Sequence, residues 1–140
     1  MATQIAAQFM LSSPQFNPDE VTVFLGIQPT KTWRCGDKIP KTSLRRKHDA
    51  WILSTGSAEL DQEHSIDLIK QVHSLLDHLR PHTAKLKKIC VQLNLEATLS
   101  CVLYVEGDDR PAIHFAPDLV KWLAELHADI DIDLYYLPAN

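Results

Sequence analysis

Asp129-Ile130-Asp131-Ile132-Asp133-Leu134-Tyr135-Tyr136 alternates without a break. A period of two is the mark of a β-strand, because successive side chains point to opposite faces of the sheet. One face takes Asp129, Asp131 and Asp133, and the other takes Ile130, Ile132, Leu134 and Tyr136. This predicts a half-buried strand in a sheet with one side on a core and the other open. It names an architecture and not a reaction.

Upstream the same two-residue period recurs. Residues 5–11 put Ile5, Ala7, Phe9 and Leu11 on one side, and residues 97–106 oppose Leu99, Cys101, Leu103 and Val105 to Thr98, Ser100, Val102 and Tyr104. A further strand is expected over 51–55, ended by Gly56-Ser57. Gly107-Asp108-Asp109 reads as the turn of a hairpin into a strand over 112–115. Helices are punctuated clearly. Asn17 is a cap, Pro18 suits the first helical position, Glu20 stands where it completes a capping box, and Gly26 is a stop, so a two-turn helix follows with Val21, Phe24 and Leu25 inward. From Ser65 the apolar residues Ile66, Ile69, Val72, Leu76 and Leu79 recur at helical spacing until Pro81 interrupts them. Leu86, Ile89, Cys90 and Leu93 continue a second helical face to Asn94, and Pro117-Asp118 opens a last helix with Leu119, Trp122, Leu123 and Leu126 for the core. Residues 28–49, with Pro29, Gly36 and Pro40, predict a long loop or irregular edge strands.

From Trp51 onward the order is strand, helices, strand, strand, helix, strand. That order predicts an α+β fold, a ferredoxin-like sandwich with a mostly antiparallel sheet and helices on one face, extended by an N-terminal strand and short helix. The 140 residues, 45% hydrophobic and 23% charged, suffice for a single globular domain over 1–140 without a disulfide or metal staple. Met1-Ala-Thr-Gln-Ile lacks a basic region followed by an apolar run, and no apolar stretch approaches the roughly 20 residues that span a bilayer. A soluble, cytoplasmic protein is expected, with Cys35, Cys90 and Cys101 as reduced thiols and no membrane contact.

The open face is expected to carry Gln8, Ser54, Thr98, Ser100, Tyr104, Asp131, Asp133 and Tyr135. Acidic side chains there keep an exposed strand solvated and discourage sheet-to-sheet aggregation; with the tyrosines they also form a docking face for a basic protein. Calcium needs about six to eight oxygens, and no Asp-rich loop with the spacing and glycine of such sites occurs. Seven histidines are scattered, with no His-Glu-x-x-His and no Cys-x-x-Cys, so no metal and no cofactor is expected. Neither a nucleophile elbow nor a phosphate loop is present. Formal net charge of −4 argues against nucleic acid as a partner, although Lys38, Lys41, Arg45, Arg46, Lys47 and His48 form a basic cluster after Trp33-Arg34. That cluster reads as a solvated loop or as the counter-charge of the acidic strand. Arg34 is placed to pair with a carboxylate and so order the loop over the sheet. Trp33, Trp51 and Trp122 read as core or rim packing.

Several stretches carry a resemblance when taken together. They are Val21-Thr-Val-Phe-Leu-Gly26, Thr32-Trp33-Arg34 with Gly36-Asp37, the strand at Trp51, Leu79-x-Pro81-His82, and Trp122-Leu-Ala-Glu-Leu126 followed by the acidic strand. The chain resembles the bacterial family known as domain of unknown function 4279, over nearly its whole length. The resemblance implies a small bacterial protein of a family without an established activity, and it supplies no catalytic residues. It also implies a polar or basic residue at position 35, which weakens Cys35 as a nucleophile.

Two functions of different class follow. The first is a non-enzymatic protein-binding module, of the immunity type that inhibits a toxin, using Asp131, Asp133, Tyr104 and Tyr135 against a basic protein. The second is a small-molecule-binding or catalytic domain with a pocket under the 28–49 loop, where Trp33, Arg34 and His48 form a lid, Arg34 clamps an anion, and Tyr104 or Asp133 positions it. The open face equally suits a homodimer.

Overall fold

The structure is a computed structural model that describes residues 3–55 and 67–138. Among the described residues five strands form one sheet: β1 (Gln4–Ser13), β2 (Lys31–Trp33), β3 (Asp49–Ser54), β4 (Glu96–Glu106) and β5 (Asp129–Leu137). Their spatial order is β2-β3-β1-β4-β5. All neighbours are antiparallel except β4 and β5, which run parallel through the helix between them. Among the described residues the helices are α1 (Pro18–Leu25), α2 (Leu68–Leu79), α3 (Thr83–Leu93) and α4 (Pro117–Glu125). The predicted Gly56-Ser57 stop, Ser65 and Ile66 lie outside the described residues.

One sheet face and one stripe of each helix make the core. Ile5, Ala7, Phe9 and Leu11 from β1 meet Leu99, Cys101, Leu103 and Val105 from β4, all nearly or completely buried. Above them α2 inserts Leu68, Val72, Leu75, Leu76 and Leu79, a stripe with three- and four-residue spacing. The helices therefore cover the face that the two-residue period assigns to the interior. Two tryptophans fasten the layers. Trp51 of β3 is fully buried and donates its indole N–H to Thr22 Oγ1 of α1 at 3.1 Å. Trp122 of α4 donates to Thr83 Oγ1 of α3 at 2.8 Å, and its ring lies 5.8 Å from that of Phe9. A buried indole needs such an acceptor, because a desolvated N–H without one is costly.

The helix boundaries follow the local chemistry. Asn17 Oδ1 accepts from the amide of Asp19 at 3.0 Å, Pro18 opens α1, and Gly26 ends it with φ of 71°. Pro81 ends α2 at Leu79 and shapes the short 3₁₀ turn Arg80–His82 that joins α2 to α3. Asn94 closes α3 in the left-handed region, with φ of 54°.

Two expectations are corrected. The N-terminal strand, expected as an extension of a ferredoxin-like sandwich, is the middle strand of the sheet and pairs on both sides. Residues 112–115 form no strand, although Gly107 does make a turn with φ of 59°. The physical reason is occupancy. Both sides of β4 are already paired, one with β1 and the other with β5, so a hairpin partner has no edge to join. With that strand missing and β1 between β3 and β4, the architecture is an α+β fold with a five-stranded, mostly antiparallel sheet.

Candidate functional site

The face away from the helices divides into two halves. Cross-strand register places Ser54, Gln8, Ser100 and Asp131 in one row from β3 to β5. Tyr104 lies beside Tyr135, with ring centroids 5.0 Å apart and planes 16° from parallel. Asp133 stands opposite Val102, and Asp131 and Asp133 are same-face neighbours about 7 Å apart. Tyr104, Asp131, Asp133 and Tyr135 are thus one exposed patch, as the alternation predicts. None of the ion pairs among the described residues engages Asp129, Asp131 or Asp133.

β5 is exposed on both faces. Ile130, Ile132 and Leu134 lie on the core side of the sheet, yet 41%, 39% and 43% of their surfaces meet solvent, and Tyr136 is exposed too. The expectation of a half-buried strand is therefore only partly met. β5 ends the sheet, and among the described residues no strand pairs its outer side. An edge of this kind presents a row of backbone N–H and C=O groups to any extended chain that approaches.

The other half of the face is covered. Ala50 and Ile52 point away from the helices and are completely buried. At that end the segment 34–48 folds back over the sheet. It is held by its own backbone bonds, Gly36 N–H to Arg46 C=O at 2.8 Å, Arg46 N–H to Asp37 C=O at 2.7 Å and Ile39 N–H to Leu44 C=O at 2.9 Å. Its root is the carboxylate of Asp49, which is almost fully buried at the start of β3. Asp49 accepts the backbone N–H groups of Phe16, at 2.8 Å, and Cys35, and it pairs with Arg34 Nε at 3.3 Å. Burial alone would raise its pKa; the two amides and the Arg34 charge outweigh burial and hold it below the ordinary carboxylate value.

Arg34 does pair with a carboxylate, but with Asp49 and not with the acidic strand. Trp33 lies on the β2 edge, with the Arg46 guanidinium 3.5 Å from its ring centroid and Lys31 Nζ at 5.7 Å. β2 and β5 are the two ends of the sheet order, four inter-strand steps or roughly 19 Å apart. Trp33 and Arg34 therefore do not join Tyr104, Asp131, Asp133 and Tyr135 in one site, and the basic loop is not the counter-charge of β5. A cavity of about 340 Å³ does lie between the 34–48 segment and the sheet, lined in part by Trp33 and His48. Arg34 is not in its wall.

Sequence reasoning missed Asp49 and Gln71. The signal for Asp49 is an acidic residue abutting the apolar run Ala50-Trp51-Ile52-Leu53. Gln71 breaks the apolar stripe of α2 on its buried side. Of the cysteines, Cys35 is exposed, whereas burial pushes the Cys90 and Cys101 thiols up to about 11, with the nearby Asp131 charge adding to the effect at Cys101. Among the described residues no three His, Cys, Asp or Glu side chains are gathered as metal ligands, and no helix is long and apolar enough to cross a membrane.

No curated protein and no solved structure matches the chain. The family described as Domain of unknown function (DUF4279) matches residues 3–137, nearly the whole length, and the protein belongs to that family.

Proposed function

We propose that the protein is a binding module that takes an extended, basic segment of a partner protein along the outer side of β5, as a sixth strand of its sheet. The observation that carries this reading is β5 itself. It is a nine-residue edge strand with solvent-exposed isoleucines on one face and three aspartates outside any described ion pair on the other. Main-chain hydrogen bonds supply affinity in strand addition, and alternate side chains supply selectivity. Opposed cross-strand positions of opposite charge attract, so a strand with Lys or Arg at every second residue fits Asp129, Asp131 and Asp133. Apolar residues at the intervening positions would cover Ile130, Ile132 and Leu134. The Tyr104-Tyr135 stack offers a flat aromatic surface at the far end of the same row.

A second copy of the chain fits this edge less well. Antiparallel pairing of β5 with itself about a two-fold axis keeps the aspartates of both copies on one face and sets Asp opposite Asp. Like charges directly opposed are destabilising. An adaptor, or an immunity-type inhibitor of a basic toxin, is the role such a surface suits.

The test is capture from the native host with tagged protein, in parallel with a variant carrying Asp131→Lys and Asp133→Lys, followed by hydrogen exchange of the purified complex. The proposal expects a basic partner held only by the unmodified form, with slowed exchange along β5. A partner that binds both forms equally, or leaves β5 amides unprotected, rejects it.

A further inference from the structure

The cavity of about 340 Å³ under the 34–48 segment has a wall chemistry opposite in sign to the chain as a whole. Its floor is Met10 and Ala50 of the sheet, and its roof is Ile39 and Leu44 of the segment. Trp33 closes one side. Among the described residues, the charged ones in the wall are Arg45, Arg46 and Lys47, beside His48, with no Asp or Glu, in a chain whose formal net charge is −4. The distribution is amphipathic, an apolar slot with a cationic rim.

Two of these cations are held in place. Arg45 Nη1 donates to the Gly36 carbonyl at 2.9 Å, and the Arg46 guanidinium carbon sits over Trp33, 3.5 Å from its ring centroid. A guanidinium has five N–H donors, so one backbone bond and one ring contact leave most of them unused. Lys47 takes part in no hydrogen bond or ion pair among the described residues. The ligand class follows from both parts of the wall. A bare inorganic anion would gain nothing from Met10, Ile39, Leu44 and Ala50, and a neutral apolar molecule would gain nothing from the cationic rim. The volume stands near the lower end of small-molecule sites, which span roughly 300–1,000 Å³.

We propose that this cavity binds an amphiphilic carboxylate, a short aliphatic chain or single ring bearing one carboxyl group, with the apolar body between Leu44 and Ala50 and the carboxylate at Arg45, Arg46 and Lys47. The guanidinium fork suits a carboxylate through paired N–H bonds. This site is independent of the β5 edge, since the two occupy opposite ends of the sheet.

Octanoate is the probe, titrated into ¹⁵N-labelled protein, with octanol and acetate as the two half-ligands. The expected result is saturable shifts at Met10, Leu44, Lys47, Ala50 and the Trp33 indole, with octanol and acetate each about tenfold weaker or more. Leu44 is 63% exposed, so Leu44→Asp leaves the fold intact and weakens octanoate. Lys47→Glu weakens it as well. The double variant Asp131→Lys, Asp133→Lys leaves octanoate binding unchanged while testing the other end of the sheet. Absence of saturation at millimolar octanoate, shifts that map elsewhere, octanol as tight as octanoate, or indifference to Lys47→Glu each overturns the proposal.

Discussion

Gln71 gives both ends of its side-chain amide to the backbone of β1, with Nε2 donating to the Ile5 carbonyl at 2.8 Å and Oε1 accepting from the Ala7 amide at 3.2 Å. The pairing of β3 with β1 covers Gln8 to Ser13, and Thr55 N–H still reaches the Ala7 carbonyl at 3.1 Å, but among the described residues no strand bonds the Ile5 carbonyl or the Ala7 amide on that side. A helix residue here does the work of a missing strand. Gln71→Leu removes both bonds and leaves two buried backbone groups without partners, for an expected loss of about 1–3 kcal/mol. Urea unfolding measures the loss, and faster amide exchange at Ala7 shows that it is local.

Asp49 predicts an acid dependence. Its folded-state pKa lies below the ordinary carboxylate value, so the carboxylate contributes stability that is present above the unfolded-state pKa and disappears as pH falls through the folded one. Asp49→Asn is expected to cost about 1.5–3 kcal/mol at pH 7, in keeping with bonds to a charged acceptor. Stability of the variant should also fall less between neutral pH and pH 3 than that of the unmodified protein, as followed by thermal melts across that range.

The thiols predict a reactivity order. Cys35 is exposed, whereas Cys101 is fully buried and both it and Cys90 hold their protons to about 11. At pH 8 a colorimetric thiol reagent should modify Cys35 first in the native protein and all three cysteines once it is unfolded. Equal rates in the native state would contradict the burial of Cys101.

The aspartates on β5 predict a latent self-association. Asp131→Asn with Asp133→Asn removes like-charge opposition from a strand that still exposes Ile130, Ile132 and Leu134. Sedimentation velocity should show the variant forming dimers at lower concentration than the unmodified chain, and the difference should shrink in high salt.

What was legible in the sequence was local. The alternation in β1, β4 and β5, the Asn17-Pro18 start and Gly26 end of α1, and the interruption at Pro81 are each written in a few adjacent residues. Strand order was not legible, because the alternation of Ile5 to Leu11 is the same whether its neighbours lie on one side or two. That is why β1 read as an extension and 112–115 read as a hairpin partner. The exposed patch of Tyr104, Asp131, Asp133 and Tyr135 was readable, since faces follow from parity. Its separation from Trp33 and Arg34 was not, since distance across a sheet depends on order. Asp49 and Gln71 act on backbone far away in sequence, and nothing in their own neighbourhoods announces those partners.

The position of β1 makes the two ends of the chain unequal in what their removal would do. Cutting away the first strand takes out the middle of the sheet, with the partners of both β3 and β4, and strands two halves that no longer touch. Cutting away the last strand peels off an edge bonded to β4 alone. The surface proposed for recognition is thus the portion that can loosen, exchange or be clipped while the rest of the sheet stays assembled.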